Sequence, residues 1–134
     1  MFQTTLEPRF SETDILGHIN NTVFPVWFEV ARQDIFKLVH PTLTHNDWPM
    51  VVARIDVDFI RQTQYGSTVS INTYITRIGH KSFTVSHEAW QDSSLVAKGE
   101  AVLVWFNYTQ ECSCPIPEDI CLLLKKHLQT AHNN

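Results

Sequence analysis

Residues 9–32 read RFSETDILGHINNTVFPVWFEVAR, and how that run divides decides the fold. Within residues 14–21 it gathers an acid, a glycine, a histidine and two asparagines: Asp14, Gly17, His18, Asn20 and Asn21. Beyond them it turns apolar. Polar groups ahead of a buried helix are costly unless they cap it, bind something or catalyse. Asn20 and Asn21 are both good N-cap residues. Pro25 has no N–H to donate, so it belongs in the first helical turn. Asn21 as the cap, with Thr22 opening the helix, meets that condition. Val23, Val26, Trp27, Val30, Ala31, Ile35 and Leu38 then follow helical spacing. Phe24, Phe28 and Phe36 add apolar surface on a second side, which predicts a helix buried on more than one face. His40-Pro41 stops it near Val39. At about 1.5 Å per residue it reaches about 27–30 Å, enough to cross a small sheet.

Outward from this helix the pattern changes. Upstream, residues 4–10 are β-prone, and Pro8 puts that strand at an edge or breaks it there. Downstream, residues 41–50 form a polar loop. From Val51 the period becomes two: Val51, Ala53, Ile55, Val57 and Phe59 alternate with Arg54, Asp56 and Asp58. Turns at residues 64–67, at Gly79-His80 and at residues 92–94 divide three more strands. Gly99 in the last strand signals a bulge or bend. Residues 118–128 read as a short terminal helix with early acids and late bases, as the helix dipole prefers. The order is one strand, one long helix, then four strands in a meander. A sheet with one apolar face must bury it, and one long helix is available. The reading is therefore α+β, with an antiparallel sheet of about five strands wrapped around a central helix and a short C-terminal helix. Long strand edges suit pairing with a second copy.

The bulk numbers narrow the function. At 134 residues the chain is most simply one domain, 1–134, with one core. A formal net charge of -4 and a pI of about 5.9 speak against nucleic acid as a partner. The N-terminus has no apolar core of signal-peptide length, and no run approaches the roughly 18 apolar residues of a membrane span, so no membrane insertion is expected. Three cysteines, Cys112, Cys114 and Cys121, do not form a disulfide framework, and a cytoplasmic location is the default. Neither the seven histidines nor Cys112-x-Cys114 has metal-site spacing, so no metal and no cofactor are expected. There is no G-x-S-x-G elbow and no phosphate-binding glycine loop.

The layout and the opening run together resemble the hotdog-fold thioesterases, in the branch with the 4-hydroxybenzoyl-CoA thioesterases and the acyl-CoA and acyl-carrier-protein thioesterases. The family's pattern stands here as Arg9-Phe10, Asp14, Gly17-His18-Ile19-Asn20-Asn21 and Glu29-Val30-Ala31-Arg32. Tyr65-Gly66, Gly79-x-Lys81-Ser82-Phe83 and Ala97-x-Gly99 are supporting matches. The chain departs from the pattern at Phe24, where relatives often carry tyrosine, and at Pro25.

The resemblance implies hydrolysis of an acyl-CoA to free acid and coenzyme A, without a metal, in a homodimer or homotetramer with sites at the subunit interface. Asp14 is then the carboxylate that acts as base or nucleophile. The helix N-terminus near Asn21 offers N–H groups to the developing oxyanion. Asn20 and His18 are the further catalytic candidates, His18 either for a structural hydrogen bond or for orienting Asp14, water or substrate, and Gly17 lets the backbone approach closely. Lys81 and Ser82 occupy the place where relatives meet the nucleotide or pantetheine arm of CoA. Arg54, Arg61 and Arg77 are further cations for its phosphates. Glu29 reads as pairing with Arg32 at i+3, the alternative being a second site carboxylate as in another hotdog branch. For Asp14 alone the plainer role is an Asx-turn before the helix. The alternatives are an acyl-carrier-protein thioesterase, a non-catalytic acyl-CoA-binding hotdog protein, and a scaffolding oligomer without ligand.

Overall fold

The long helix, α1, spans Val23–Val39 in the computed structural model, which describes residues 1–129. Thr22 and not Asn21 precedes its first residue, and the side chain that holds this front is that of Asn20. Thr22, the residue just before α1, already has helical dihedrals, and its N–H is taken by the Asn20 side chain. Asn20 Oδ1 accepts from Thr22 N and from Thr22 Oγ1, both at 2.9 Å, and Asn20 O accepts from Val23 N at 3.0 Å. Asn21 is exposed and free of this task. Pro25 falls at the third helical position, where its missing donor costs nothing. The helix ends at Val39, with His40 N donating to Phe36 O at 2.7 Å.

The sheet takes the stripe formed by Phe24, Trp27, Phe28, Ala31, Ile35 and Val39, all buried. Val26 and Val30 lie off that stripe and stay 57% and 45% exposed. The buried face is broad enough to take in Phe24 and Phe28, with Phe36 packed at its side, and Val26 and Val30 stay open.

Six strands surround it: β1 (Phe2–Leu6), β2 (Met50–Phe59), β3 (Val69–Ile78), β4 (Ser82–Gln91), β5 (Ser94–Asn107) and the two-residue β6 (Cys112–Ser113). β1 is earlier than its sequence pattern predicts. Pro8 cannot donate to a ladder, so the strand ends before it, and residues Phe10–Glu12 form a single 3₁₀ turn. The strand order is β1-β3-β4-β5-β2, all antiparallel, with β6 pairing β5 at its end. Only β3-β4-β5 is a meander. β2 does not pair with β3; it lies against β5 at the far edge. The connector, residues 60–68, is too long for a hairpin turn and crosses the end of the sheet. In the β4–β5 hairpin, Asp92 and Ser93 both have positive φ (51° and 64°), the geometry of a two-residue turn.

β2 departs most from the sequence pattern. A bulge lies between Val52 and Arg54. It changes phase, so Val51 leaves the face shared by Ile55, Val57 and Phe59. Val57 packs on the core, and Phe59 meets Phe24 of α1, but Ile55 and Phe59 remain 49% and 52% exposed at this edge of the sheet. Gly99, opposite Val57 on β5, is required by packing. A Cβ there would come 2.8 Å from the Phe28 ring and 2.7 Å from Asp56 O.

A short helix, α2 (Glu118–Lys125), caps the other end of the core with Leu124 and Ile120. It stops three residues before the predicted end. Leu128 has instead joined β3 in a bridge to Ile75, and Gln129 N donates to Ile75 O at 2.7 Å.

Candidate active site

Thr13 bridges Ile19, so residues 13–19 form a tight loop ahead of α1. Asp14 N donates to His18 O at 2.7 Å, and Gly17 N to Asp14 O at 3.2 Å. Gly17 has φ +81°, a conformation that a Cβ strains, which is why this turn carries glycine. Asp14 Oδ1 accepts from Leu16 N at 2.8 Å and from His18 N at 3.1 Å. The Asx-turn is therefore real. It engages one oxygen only. Among the described residues Oδ2 accepts no hydrogen bond, and the side chain is half-buried. His18 Nδ1 is buried beside it without a partner.

The crossover at residues 60–68 holds the loop from the other side. Ile19 N donates to Thr63 O at 2.8 Å, and His18 bridges Gln64. Gln91, at the end of β4, locks that crossover: its Oε1 accepts from Gln64 N, and its Nε2 donates to Gln64 O and Ser67 O, each at 2.9 Å. Sequence reading missed Gln91. A buried glutamine at a strand end carries no signal until the segment that it braces is known.

A groove of about 400 Å³ opens beside the helix front, lined by Ile19, Asn21, Phe24, Phe59, Ile60 and Arg61. Phe24 and Phe59 meet edge to face at 5.8 Å and form an apolar wall. Asn21 is at its mouth, and the Asn21 N–H meets no acceptor among the described residues. Of the three candidate arginines only Arg61 lines this groove. Arg54 pairs with Asp56 at 3.4 Å near the outer face, and Arg77 is exposed on β3.

Asp14, Gly17, His18, Asn20 and Asn21 are thus brought together. Lys81 and Ser82 are not with them. They occupy the β3–β4 hairpin, where Lys81 O accepts from Trp105 N at 2.8 Å. Gln91 marks the site end of β4 and Ser82 the other. That separation is about 30 Å along the strand.

Two charged side chains are buried near α1. Glu12 is 8% exposed; its Oε1 accepts from Arg9 N at 2.7 Å and its Oε2 from Trp27 Nε1 at 2.9 Å. Burial alone would raise its pKa, but the Arg9 N–H, the Trp27 indole and the Arg9 guanidinium hold it below the usual carboxylate range. Arg32 does not pair with Glu29. Among the described residues the ion pairs are Arg9–Glu12 and Arg54–Asp56. Arg32 is 4% exposed and turns inward to His87, with Nη1 3.4 Å from Nε2. His87 is held by Thr73 Oγ1 at 2.9 Å and stacks on Phe28. Burial, and then the Arg32 charge, pull the His87 pKa down to about 3. Burial also lowers Arg32, against the opposing charge of Glu29. Among the described residues no three His, Cys, Asp or Glu side chains converge as metal ligands, and the three cysteines are free thiols.

An acid-bearing loop against a helix front, inside a sheet folded around that helix, is the layout expected of the hotdog thioesterases. Residues 8–124 match the thioesterase-like superfamily, and the chain belongs to that family. It is similar to a predicted thioesterase of Bacillus stearothermophilus, with 45% identity, a TM-score of 0.95 and 98% of both chains covered. It is also similar to a thioesterase of Thermus thermophilus solved with coenzyme A and Zn, with 31% identity, a TM-score of 0.82, and 92% of this chain and 91% of that one covered. It shares 30% identity over 86 residues with the uncharacterized protein YsmA of Bacillus subtilis (strain 168), which takes in 64% of this chain. The chain spans about 58% of the length of that curated relative.

Proposed function

We propose that this protein hydrolyses an acyl-CoA to the free acid and coenzyme A, with Asp14 supplying the attack and the Asn21 N–H stabilising the oxyanion. The observation that carries this is the half-engaged Asp14 carboxylate. Two backbone N–H groups fix Oδ1, and Oδ2 is left for chemistry. A carboxylate fixed in this way needs no reorganisation as the reaction proceeds. Water adds to the thioester carbonyl carbon, its proton passes to Asp14, and the C–S bond breaks. A thiol ordinarily ionises near a pH of about 8.5, so the leaving thiolate departs without a strong general acid. In the nucleophilic variant Asp14 attacks directly, and water then opens the mixed anhydride. Label in Asp14 after a single turnover in ¹⁸O-water identifies direct attack with water opening the anhydride at the Asp14 carbonyl. The Phe24–Phe59 groove suits the acyl group, and Arg61 at its rim suits a phosphate of CoA. Coenzyme A is bound by the Thermus thermophilus relative.

A second copy completes the site in this reading. The outer edge of β2 is unpaired, and Val52, Ile55 and Phe59 together with Val26 and Val30 expose an apolar strip along it. Antiparallel pairing of two β2 edges covers that strip and carries the hairpin with the partner's Lys81 toward the groove. No helix of the described residues is long and apolar enough to cross a membrane.

The test is thiol release from acyl-CoAs of varied length and aromaticity, with Asp14→Asn alongside. The expected loss is about 10²- to 10⁴-fold in kcat with the fold intact. Equal rates for the two proteins sink the role of Asp14. Saturable acyl-CoA binding without turnover makes this a binding module.

A further inference from the structure

Glu12 is a buried carboxylate that the reaction as drawn does not use, and it touches both halves of the site. Its backbone O accepts from Asn20 N at 2.8 Å, which fixes the residue whose side chain holds the front of α1. Its side chain reaches past the loop to the Trp27 indole, one turn into α1, at 2.9 Å. Its other oxygen closes the 3₁₀ turn by accepting from Arg9 N at 2.7 Å. Two residues later the chain places Asp14. Every group facing this carboxylate is a donor: Arg9 N, Arg9 Nη2 and Trp27 Nε1. An ionised acid satisfies them all, and an amide does not, because its NH₂ must oppose one of them.

We propose that Glu12 is a positioning residue, the strut that sets the separation between the Asp14 carboxylate and the oxyanion-binding front of α1. This rests on the thioesterase reading above. The physical reason is that Asp14 is on a loop whereas the Asn21 N–H belongs to a helix front, and a loop otherwise shifts independently of a helix. Attack needs the two fixed to a fraction of an ångström, and a misplacement of about 1 Å costs on the order of 10²-fold. Arg9 is 75% exposed at its side chain and pairs only loosely, at 3.5 Å, so the strut is the Glu12–Trp27 bond and not the ion pair.

The experiment compares native protein, E12Q, W27F, the E12Q/W27F double variant and D14N with one acyl-CoA that the native enzyme turns over. The expected result for E12Q is a kcat about 10- to 100-fold lower, with KM within about threefold, because groups that bind substrate are untouched. The Trp27 indole N–H resonance moves in E12Q, as a broken charge-assisted bond requires. In the W27F background E12Q costs clearly less than in the native one, since the strut is already gone. A kcat within twofold of native in E12Q, or equal losses in both backgrounds, overturns the proposal while an inactive D14N leaves the thioesterase reading standing. A fully active D14N overturns both. Should E12Q fail to fold, W27F alone decides: a lowered kcat at native KM supports the strut, and a native kcat overturns it.

Discussion

The front and the middle of α1 each bury one charged side chain, and they treat it in opposite ways. At the front, Glu12 meets only donors, and each oxygen is bonded. In the middle, among the described residues, Arg32 has no carboxylate in contact, its Nε is unpaired, and its neighbour is a neutral histidine. Glu12 is therefore part of what holds the fold together, whereas Arg32 is a cost that packing offsets. The difference shows why burial alone says little about a charge: the partners decide its sign.

Removing the partner of a satisfied group should hurt most. Glu12→Ala strips the acceptor from Trp27 Nε1 and Arg9 N, and urea unfolding should show a loss of about 3 kcal/mol. A loss under about 0.5 kcal/mol would show the two regions to be alike. In the middle, Phe28 lies flat against His87 and edge-on to Gly99. Gly99→Ala forces its methyl into that ring and into the Asp56 carbonyl, for about 2 kcal/mol of destabilisation by the same assay.

Acid should separate the two charges by pH. Unfolded, His87 titrates near 6.5, and folded near 3. Below 6.5 the unfolded chain gains a proton that the folded one refuses, so stability is whole above that pH and falls as pH drops toward 3. At about 1.4 kcal/mol per unit, about 2 kcal/mol is lost by pH 5, and His87→Gln should flatten this slope. Glu12 works in a lower window. Its folded pKa is depressed, so its contribution is present above 4.5 and is lost as pH falls through the folded value. Stability curves of both variants from pH 8 to 3 would expose any overlap. The smallest effect is expected for Arg32→Met. Removing a poorly paired buried cation while keeping its length should change stability by less than about 1 kcal/mol, with a gain as the informative sign.

The candidate site, as a cluster in space, was more legible than the sheet. Asp14, Gly17, His18, Asn20 and Asn21 lie within eight residues, so local turn and cap chemistry alone brings them together. Even there the front moved, because the sequence does not say that Thr22 takes helical dihedrals or that Asn20, and not Asn21, bonds it. Glu12 and Gln91 stayed hidden. Each acts through a partner 15 or 27 residues away, on an element whose position only folding supplies. β2 was legible as a strand and not as the neighbour of β5. Periodicity reports which residues share a face, and it does not report which strand lies alongside.

By itself the sequence determined the elements, their order and the loop that carries the acid, because these follow from dihedral preference, period and capping within a few residues. The tertiary structure decided the rest. It placed β2 at the far edge, left its apolar strip open beside Val26 and Val30, and set Lys81 about 30 Å along β4 from the Asp14 loop. Those outcomes depend on which surfaces compete for the single face of one helix. That competition is settled by packing the whole chain at once.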